Sequence, residues 1–181
     1  MNKSKGSKSK GPFVPLNAAI ITVSDTRTEA NDTSGDFLQK AFEDAGHKVI
    51  QRAIMRDDRE ALQARVREWR DNPELDVIVT TGGTGLTQRD ITPEAIEPLY
   101  TKPIPGFGEL FRTLSYDDIG TSTIESRATA GVIDRCLVFC LPGSTGACRL
   151  GMEKIILPQL DNRTGPCNLV ALLPRIRRES A

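Results

Sequence analysis

The stretch TTGGTGLTQRDITPEA, Thr80 to Ala95, packs three glycines, five threonines and an Arg-Asp pair into sixteen residues. Glycines let backbone N–H groups approach an anion closely, and a helix N-terminus adds a favourable partial charge. Gly82, Gly83, Thr84 and Gly85 are therefore a candidate phosphate cradle, with Arg89 as a further donor. It is neither of two familiar nucleotide loops. No Gly-Lys-Ser/Thr follows, and Gly83-Thr84-Gly85 would need a glycine where Gln88 stands. Acids gather near it: Asp90 before a helix start, Asp57 at the end of a second strand beside Asp58, and Asp25, after Ser24, behind a first strand. Three acids at three strand ends converge on one edge of a parallel sheet, where they bind divalent metal or orient a phosphoryl acceptor. Convergence singles out Asp57 and Asp90. A second strand-turn-helix, LPGSTGA from Leu141 to Ala147, has Gly143 in its turn and Ser144 as cap. Two anion-friendly ends outline a cleft that a nucleotide and a phosphorylated co-substrate would need.

The elements that hold these residues alternate along the chain. Asn17 to Ser24 reads as an apolar strand, and Phe37, Leu38, Ala41, Phe42 and Ala45 recur at helical spacing behind caps from Asp32, Thr33 and Ser34. Gly46 ends that helix, and His47 to Met55 reads as the second strand. Asp58 to Arg70 is a helix with Leu62, Val66 and Trp69 as its stripe; Leu75 to Val79 is a buried strand that feeds the glycine turn. After the turn, Thr92 is the expected cap of a helix with Pro93 in its first position and Glu94 beside the positive dipole end. This order argues for a mostly parallel sheet covered on both faces by helices. The second half is less regular. Ile104 to Tyr116 reads as a turn and short helix, and Thr129–Ile133 with Arg135–Leu141 as a hairpin around Asp134, which makes the sheet mixed. Cys148, Met152, Ile155 and Ile156 form a helical stripe expected to stop at Pro158, and the segment from Asn162 is assigned only loosely.

Composition narrows the function classes. Charged residues are 27% of the chain and the formal net charge is +0, which gives no general case for nucleic acid or a membrane surface. Four of the 24 basic residues lie in MNKSKGSKSKGP, so the remainder, which holds all 24 acids, is slightly acidic. That basic segment cannot bury enough apolar surface to order itself and lacks the apolar core of a secretory signal. No run approaches the ~18 apolar residues of a membrane span. A cytoplasmic protein with reduced core thiols at Cys136, Cys140, Cys148 and Cys167 is expected. With His47 as the single histidine and no CxxC pair, zinc has too few ligands.

TTGGTGLTQRDITPEA, PGFGELFR, SRATAGV and LPGST, in this order and spacing, resemble the molybdenum-cofactor biosynthesis domain shared by protein B of that pathway and molybdopterin adenylyltransferases. DTSG at Asp32–Gly35, LSYDDIGTST at Leu114–Thr123 and IILPQLDNRTGPCN resemble the protein B branch. The likeness spans Pro15 to Leu172, leaving a basic tail over 1–14 and a C-terminal tail over 173–181. It implies a three-layer α/β/α sandwich, a homo-oligomeric trimer or hexamer, and a cleft for molybdopterin and nucleotide. In the adenylyltransferases, molybdopterin's terminal phosphate is joined to AMP from Mg-ATP, and pyrophosphate leaves. Carried over, Gly82, Gly83, Thr84 and Gly85 match the phosphate turn, Asp90 the essential acid and metal ligand, Asp57 the second acid, and Gly143 and Ser144 the other lip. Adenylyltransferases often read Pro-Gly-Asn-Pro where this chain has Pro142-Gly143-Ser144-Thr145. The resemblance thus leaves two functions open: adenylyl transfer, and non-catalytic binding of a pterin intermediate or partner enzyme.

Overall fold

The computed structural model describes residues 11–179. Six strands form one mixed sheet in the order β2-β1-β3-β6-β5-β4. Strands β1 (Asn17–Val23), β2 (Lys48–Met55), β3 (Val77–Thr81) and β6 (Cys136–Leu141) run parallel, whereas β5 (Thr129–Ile133) and the short β4 (Lys102–Pro103) are antiparallel. The expected α/β class and mostly parallel mixed sheet are what the chain builds. Successive strand residues point to opposite faces. Ala18 and Ile20 of β1, Val77 and Val79 of β3, and Leu137 and Phe139 of β6 pack on one side. There they meet Leu38 and Phe42 of α1 (Thr33–Asp44), Phe107 and Phe111 of α4 (Pro105–Ile119), and Cys148 of α5 (Thr145–Gly151). Ala19, Ile21, Ile78, Val138, Cys136 and Cys140 pack on the other side, against Leu62, Val66 and Trp69 of α2 (Arg59–Arg70) and Ala95 and Ile96 of α3 (Thr92–Ile96). Because both faces are covered, the central strands are continuous apolar runs rather than alternating ones.

Several boundaries differ from the sequence reading, each for a local reason. β3 begins two residues late and runs to Thr81 because the Asp76 carboxylate is committed to the Asn17 N–H at 2.7 Å, while Thr80 and Thr81 pair with Ile21 and Thr22. Pro158 does not end the last long helix. A π-helical turn over Met152–Ile156 widens the chain, and α6 (Leu157–Leu160) restarts with the proline in its first turn, where no N–H is needed. The C-terminal segment folds as α7 (Leu173–Glu179), with Leu173 buried in the core and Arg177 paired with Asp76. Of the basic tail, residues 1–10 lie outside the described residues. Residues 12–14 are held: Asn162 accepts from the Val14 N–H and donates to Pro12 O, both at 2.9 Å, and Phe13 packs 5.1 Å from the His47 ring. Cys136, Cys140 and Cys148 are buried free thiols; Cys167 is free but exposed, so it is not a core residue. Among the described residues no helix is long and apolar enough to cross a membrane.

Candidate functional site

The carboxyl ends of β1, β2, β3 and β6 gather at one pole, and the cleft lies there, as it does at crossover points of open α/β sheets. Its volume is about 610 Å³. One wall is Gly82–Gly85 with Asp90, a second is Pro142–Ser144 with Gly146, and the floor includes Phe111, Ala147 and Leu150. The glycine turn has left-handed backbone at Gly82 (φ 100°) and Gly83 (φ 63°). A Cβ on Gly82 would stand 2.2 Å from Val23 O, and one on Gly83 would stand 2.4 Å from the Thr92 hydroxyl. Only glycine fits where the turn crosses the end of β1. Thr92 is not the cap of α3, which has no side-chain cap; its hydroxyl instead donates to Gly82 O at 2.8 Å. Ser144 does cap α5, accepting from the Ala147 N–H at 3.2 Å.

Asp90 and Asp57 both lie against the turn. Asp90 Oδ2 lies 2.7 Å from the Cβ position of Gly85, and Asp57 Oδ1 lies 2.9 Å from that of Gly83. Their environments drive them apart. The Thr87 hydroxyl, then the Thr87 and Gly85 N–H groups and the more distant Arg127, hold Asp90 below the usual carboxylate value. Burial, then the charge of Asp90, pushes Asp57 up. Partial desolvation and a like-charged neighbour are the two causes that raise a carboxyl group. Asp57 is not among the residues that line the cleft.

Three residues expected at the phosphate, Ser24, Asp25 and Arg89, bond to other partners. Ser24 accepts from the N–H groups of Thr26 and Arg27, both at 3.2 Å, and Arg89 forms an ion pair with Asp25. None of the three lines the cleft. The expected convergence of acids therefore holds for Asp57 and Asp90, while Asp25 is taken by its arginine.

Other residues went unnoticed in the sequence. The end of α4 and the 3-10 turn Gly120–Glu125 bring Asp118, Ile119, Ser122 and Glu125, with Ser126, to the far wall. Arg127 reaches across with Nε 3.3 Å from Thr84 O and Nη2 3.0 Å from Asp90 O, and pairs with Glu94. Its presence in the SRATAGV motif was the available signal. Asp32, in DTSG, is fully buried. Burial alone would raise it, but Arg52, the Gly35 N–H and the Thr22 hydroxyl together hold it low.

The comparisons agree with this geometry. Residues 19–162 match the family described as a probable molybdopterin binding domain. The chain belongs to this family. It is 51% identical over 156 residues to molybdenum cofactor biosynthesis protein B of Escherichia coli, covering 86% of this chain and 92% of that protein. A crystal structure of molybdenum cofactor biosynthesis protein B superposes with a TM-score of 0.82 at 44% identity, over 91% of this chain and 98% of that one. The tungsten cofactor synthesizing protein MoaB of Pyrococcus furiosus gives 0.75 at 35% identity, over 90% and 98%.

Proposed function

We propose that this protein acts in molybdenum cofactor biosynthesis by adenylyl transfer from Mg-ATP to molybdopterin. The observation that carries the reading is the pair of carboxylates, Asp57 and Asp90, set against the glycine turn. In this reaction an oxygen of molybdopterin's terminal phosphate attacks the α-phosphorus of ATP. The bond from that phosphorus to the bridging oxygen breaks, and the electron pair leaves with pyrophosphate. Such chemistry asks the protein chiefly for positioning and charge neutralisation. The N–H groups of the glycine turn and of the Gly143–Ser144 lip would hold phosphate oxygens. Magnesium is bound through one or two carboxylates plus substrate phosphates, so Asp90 with Asp57 suits an ion that arrives with ATP. The ion would neutralise charge on the departing pyrophosphate. Assembly as a trimer or hexamer and a cytoplasmic location belong to the same reading.

A second reading, non-catalytic binding of a pterin intermediate or partner enzyme, has one observation in its favour. Asp90, Asp118 and Glu125 line the cleft, and among the described residues no lysine or arginine does. An ATP site usually has such a cation. Purified protein incubated with molybdopterin and Mg-ATP separates the two: adenylylated molybdopterin is the expected product, and its absence while molybdopterin still binds selects the second reading.

A further inference from the structure

In a trans peptide unit the C=O and the following N–H point in opposite directions, so whatever holds the oxygen aims the N–H. Both lips of the cleft have their oxygens held. In the glycine turn, Thr92 donates twice, its hydroxyl to Gly82 O and its N–H to Gly83 O, both at 2.8 Å. These two bonds fix the N–H groups of Gly83 and Thr84, neither of which has a protein acceptor among the described residues. Arg127 holds Thr84 O and Asp90 O, which fixes the Gly85 N–H on the Asp90 carboxylate and anchors the loop that carries it. The second lip repeats the device with other side chains. Thr81 donates to Pro142 O at 3.0 Å and Ser34 to Gly143 O at 2.9 Å, fixing the N–H groups of Gly143 and Ser144. Thr81 and Ser34 are buried, and they come from β3 and α1, distant in sequence from the lip they hold.

We propose that Thr92 on one lip, and Ser34 and Thr81 on the other, are positioning residues that keep carbonyl oxygens away from the ligand and N–H groups toward its phosphate, while Arg127 anchors the first lip at Thr84 O and Asp90 O. The proposal rests on the reading that the cleft takes a phosphorylated pterin. It explains how a cleft without a lining cation can hold an anion: fixed backbone dipoles replace mobile charges, with no reorganisation when the ligand arrives. It also gives Arg127 a role through the backbone rather than through direct contact with the ligand.

The test compares Arg127→Gln, Arg127→Lys, Thr92→Val and Ser34→Ala with Glu94→Gln, which breaks the Arg127 ion pair but touches no lip carbonyl. Titration calorimetry with molybdopterin and with its dephosphorylated form is run beside melting curves. Thr92→Val and Ser34→Ala are each expected to lose about tenfold in affinity for the phosphorylated ligand, the scale of one misaimed donor, and Arg127→Gln about as much by releasing the turn at Thr84 O. Affinity for the dephosphorylated ligand should stay within about twofold. Arg127→Lys should recover part of the loss, and Glu94→Gln should bind as wild type does. Equal losses for both ligands, or a loss in Glu94→Gln matching that in Arg127→Gln, would reduce Arg127 to a fold-supporting residue and overturn the proposal. If Arg127→Gln does not fold, the Thr92 and Ser34 variants decide by the same comparison. Wild-type protein that binds neither ligand would defeat the proposed function instead. Amide NMR then decides the positioning claim on its own: Gly83–Gly85 resonances broadened by exchange in Arg127→Gln sustain it, and unchanged resonances overturn it.

Discussion

The turn after β3 and the turn after β6 both place glycine between a strand end and a helix, yet they differ in what they tolerate. Cβ atoms on Gly82 and Gly83 would collide at 2.2 and 2.4 Å, whereas one on Gly143 would stand 3.3 Å from Gly82 Cα and one on Gly146, in the first turn of α5, would meet nothing within 4 Å. The first lip is also the charged one, with Asp57 and Asp90 against it. The second offers hydroxyls, and the Ser144 hydroxyl already serves its helix. Left-handed, crowded backbone and charge thus lie on the same side of the cleft, although carbonyl oxygens are held on both lips. A group that must meet a reacting phosphorus benefits from a fixed frame, because misplacement is costly in rate. The second lip has room for a side chain at Gly146, and it governs what fits.

Removing charge from the first lip should have the largest effect. Asp90→Asn is expected to cut adenylyl transfer by about two or more orders of magnitude, the scale of one lost transition-state contact. Folding should survive, because Asp90 is only half-buried and its partners Thr87 and Gly85 are in the same loop. Wild-type turnover in this variant would remove Asp90 from the chemistry, and a collapsed melting temperature would make it a structural residue.

Side chains added to each lip sharpen the contrast. Gly83→Val forces a β-branched residue into left-handed backbone and against the Thr92 hydroxyl, which should cost about 2–4 kcal/mol of stability. The direction of its Cβ, toward Thr92 and Asp57, makes the effect one of strain. Gly146→Val should do the reverse. The position sits in the first turn of α5 and lines the cleft, so the fold loses nothing, while the added bulk occupies ligand volume. Chemical denaturation is expected to show unchanged or slightly greater stability, and titration about tenfold weaker molybdopterin binding. Ligand binding unimpaired in Gly146→Val would place the pterin elsewhere.

Much of this contrast was legible in the residue order. Hydrophobic periodicity located the first five elements of the fold because each is bounded by its own turn or cap residues, as Asp32 and Asp58 show by capping α1 and α2. The glycine turn and the Ser144 lip were legible because glycine spacing and capping are local signals. What escaped was long-range. Nothing near Arg89 reveals that Asp25, 64 residues away, will take its charge, or that Arg127 will reach Thr84 O across 43 residues. The π-helical turn that lets a helix run through Pro158 is a tertiary accommodation, favoured by burying Met152 and Ile156 in the core. Thr92 illustrates the same competition: a residue suited to capping was recruited to hold Gly82 O instead.

The smallest expected effect is on stability, and it isolates the like-charge pair at the first lip. Burial and the Asp90 charge raise Asp57 above its ordinary value of 3.8. A raised acid binds more protons in the folded than in the unfolded state, so its contribution to stability is complete below pH 3.8 and is lost as pH rises through the folded value. Asp57→Asn mimics the protonated form at every pH. The variant should therefore melt higher than wild type at pH 7, by a few degrees at most because Asp57 is half-exposed. The difference should shrink as pH falls and vanish well below pH 3.8, where Asp57 is protonated in folded and unfolded chain alike. Asp90, held low by Thr87, works in the opposite sense, losing its contribution as pH falls, but it does so in both proteins and largely cancels. Millimolar Mg-ATP should narrow the gap at pH 7, since a cation between the two carboxylates removes the repulsion that the amide relieves. Melting curves of the two proteins at pH 4 and pH 7, with and without Mg-ATP, measure all of this. A pH-independent difference would mean that Asp57 acts through shape, and a gap indifferent to Mg-ATP would count against an ion shared by Asp57 and Asp90.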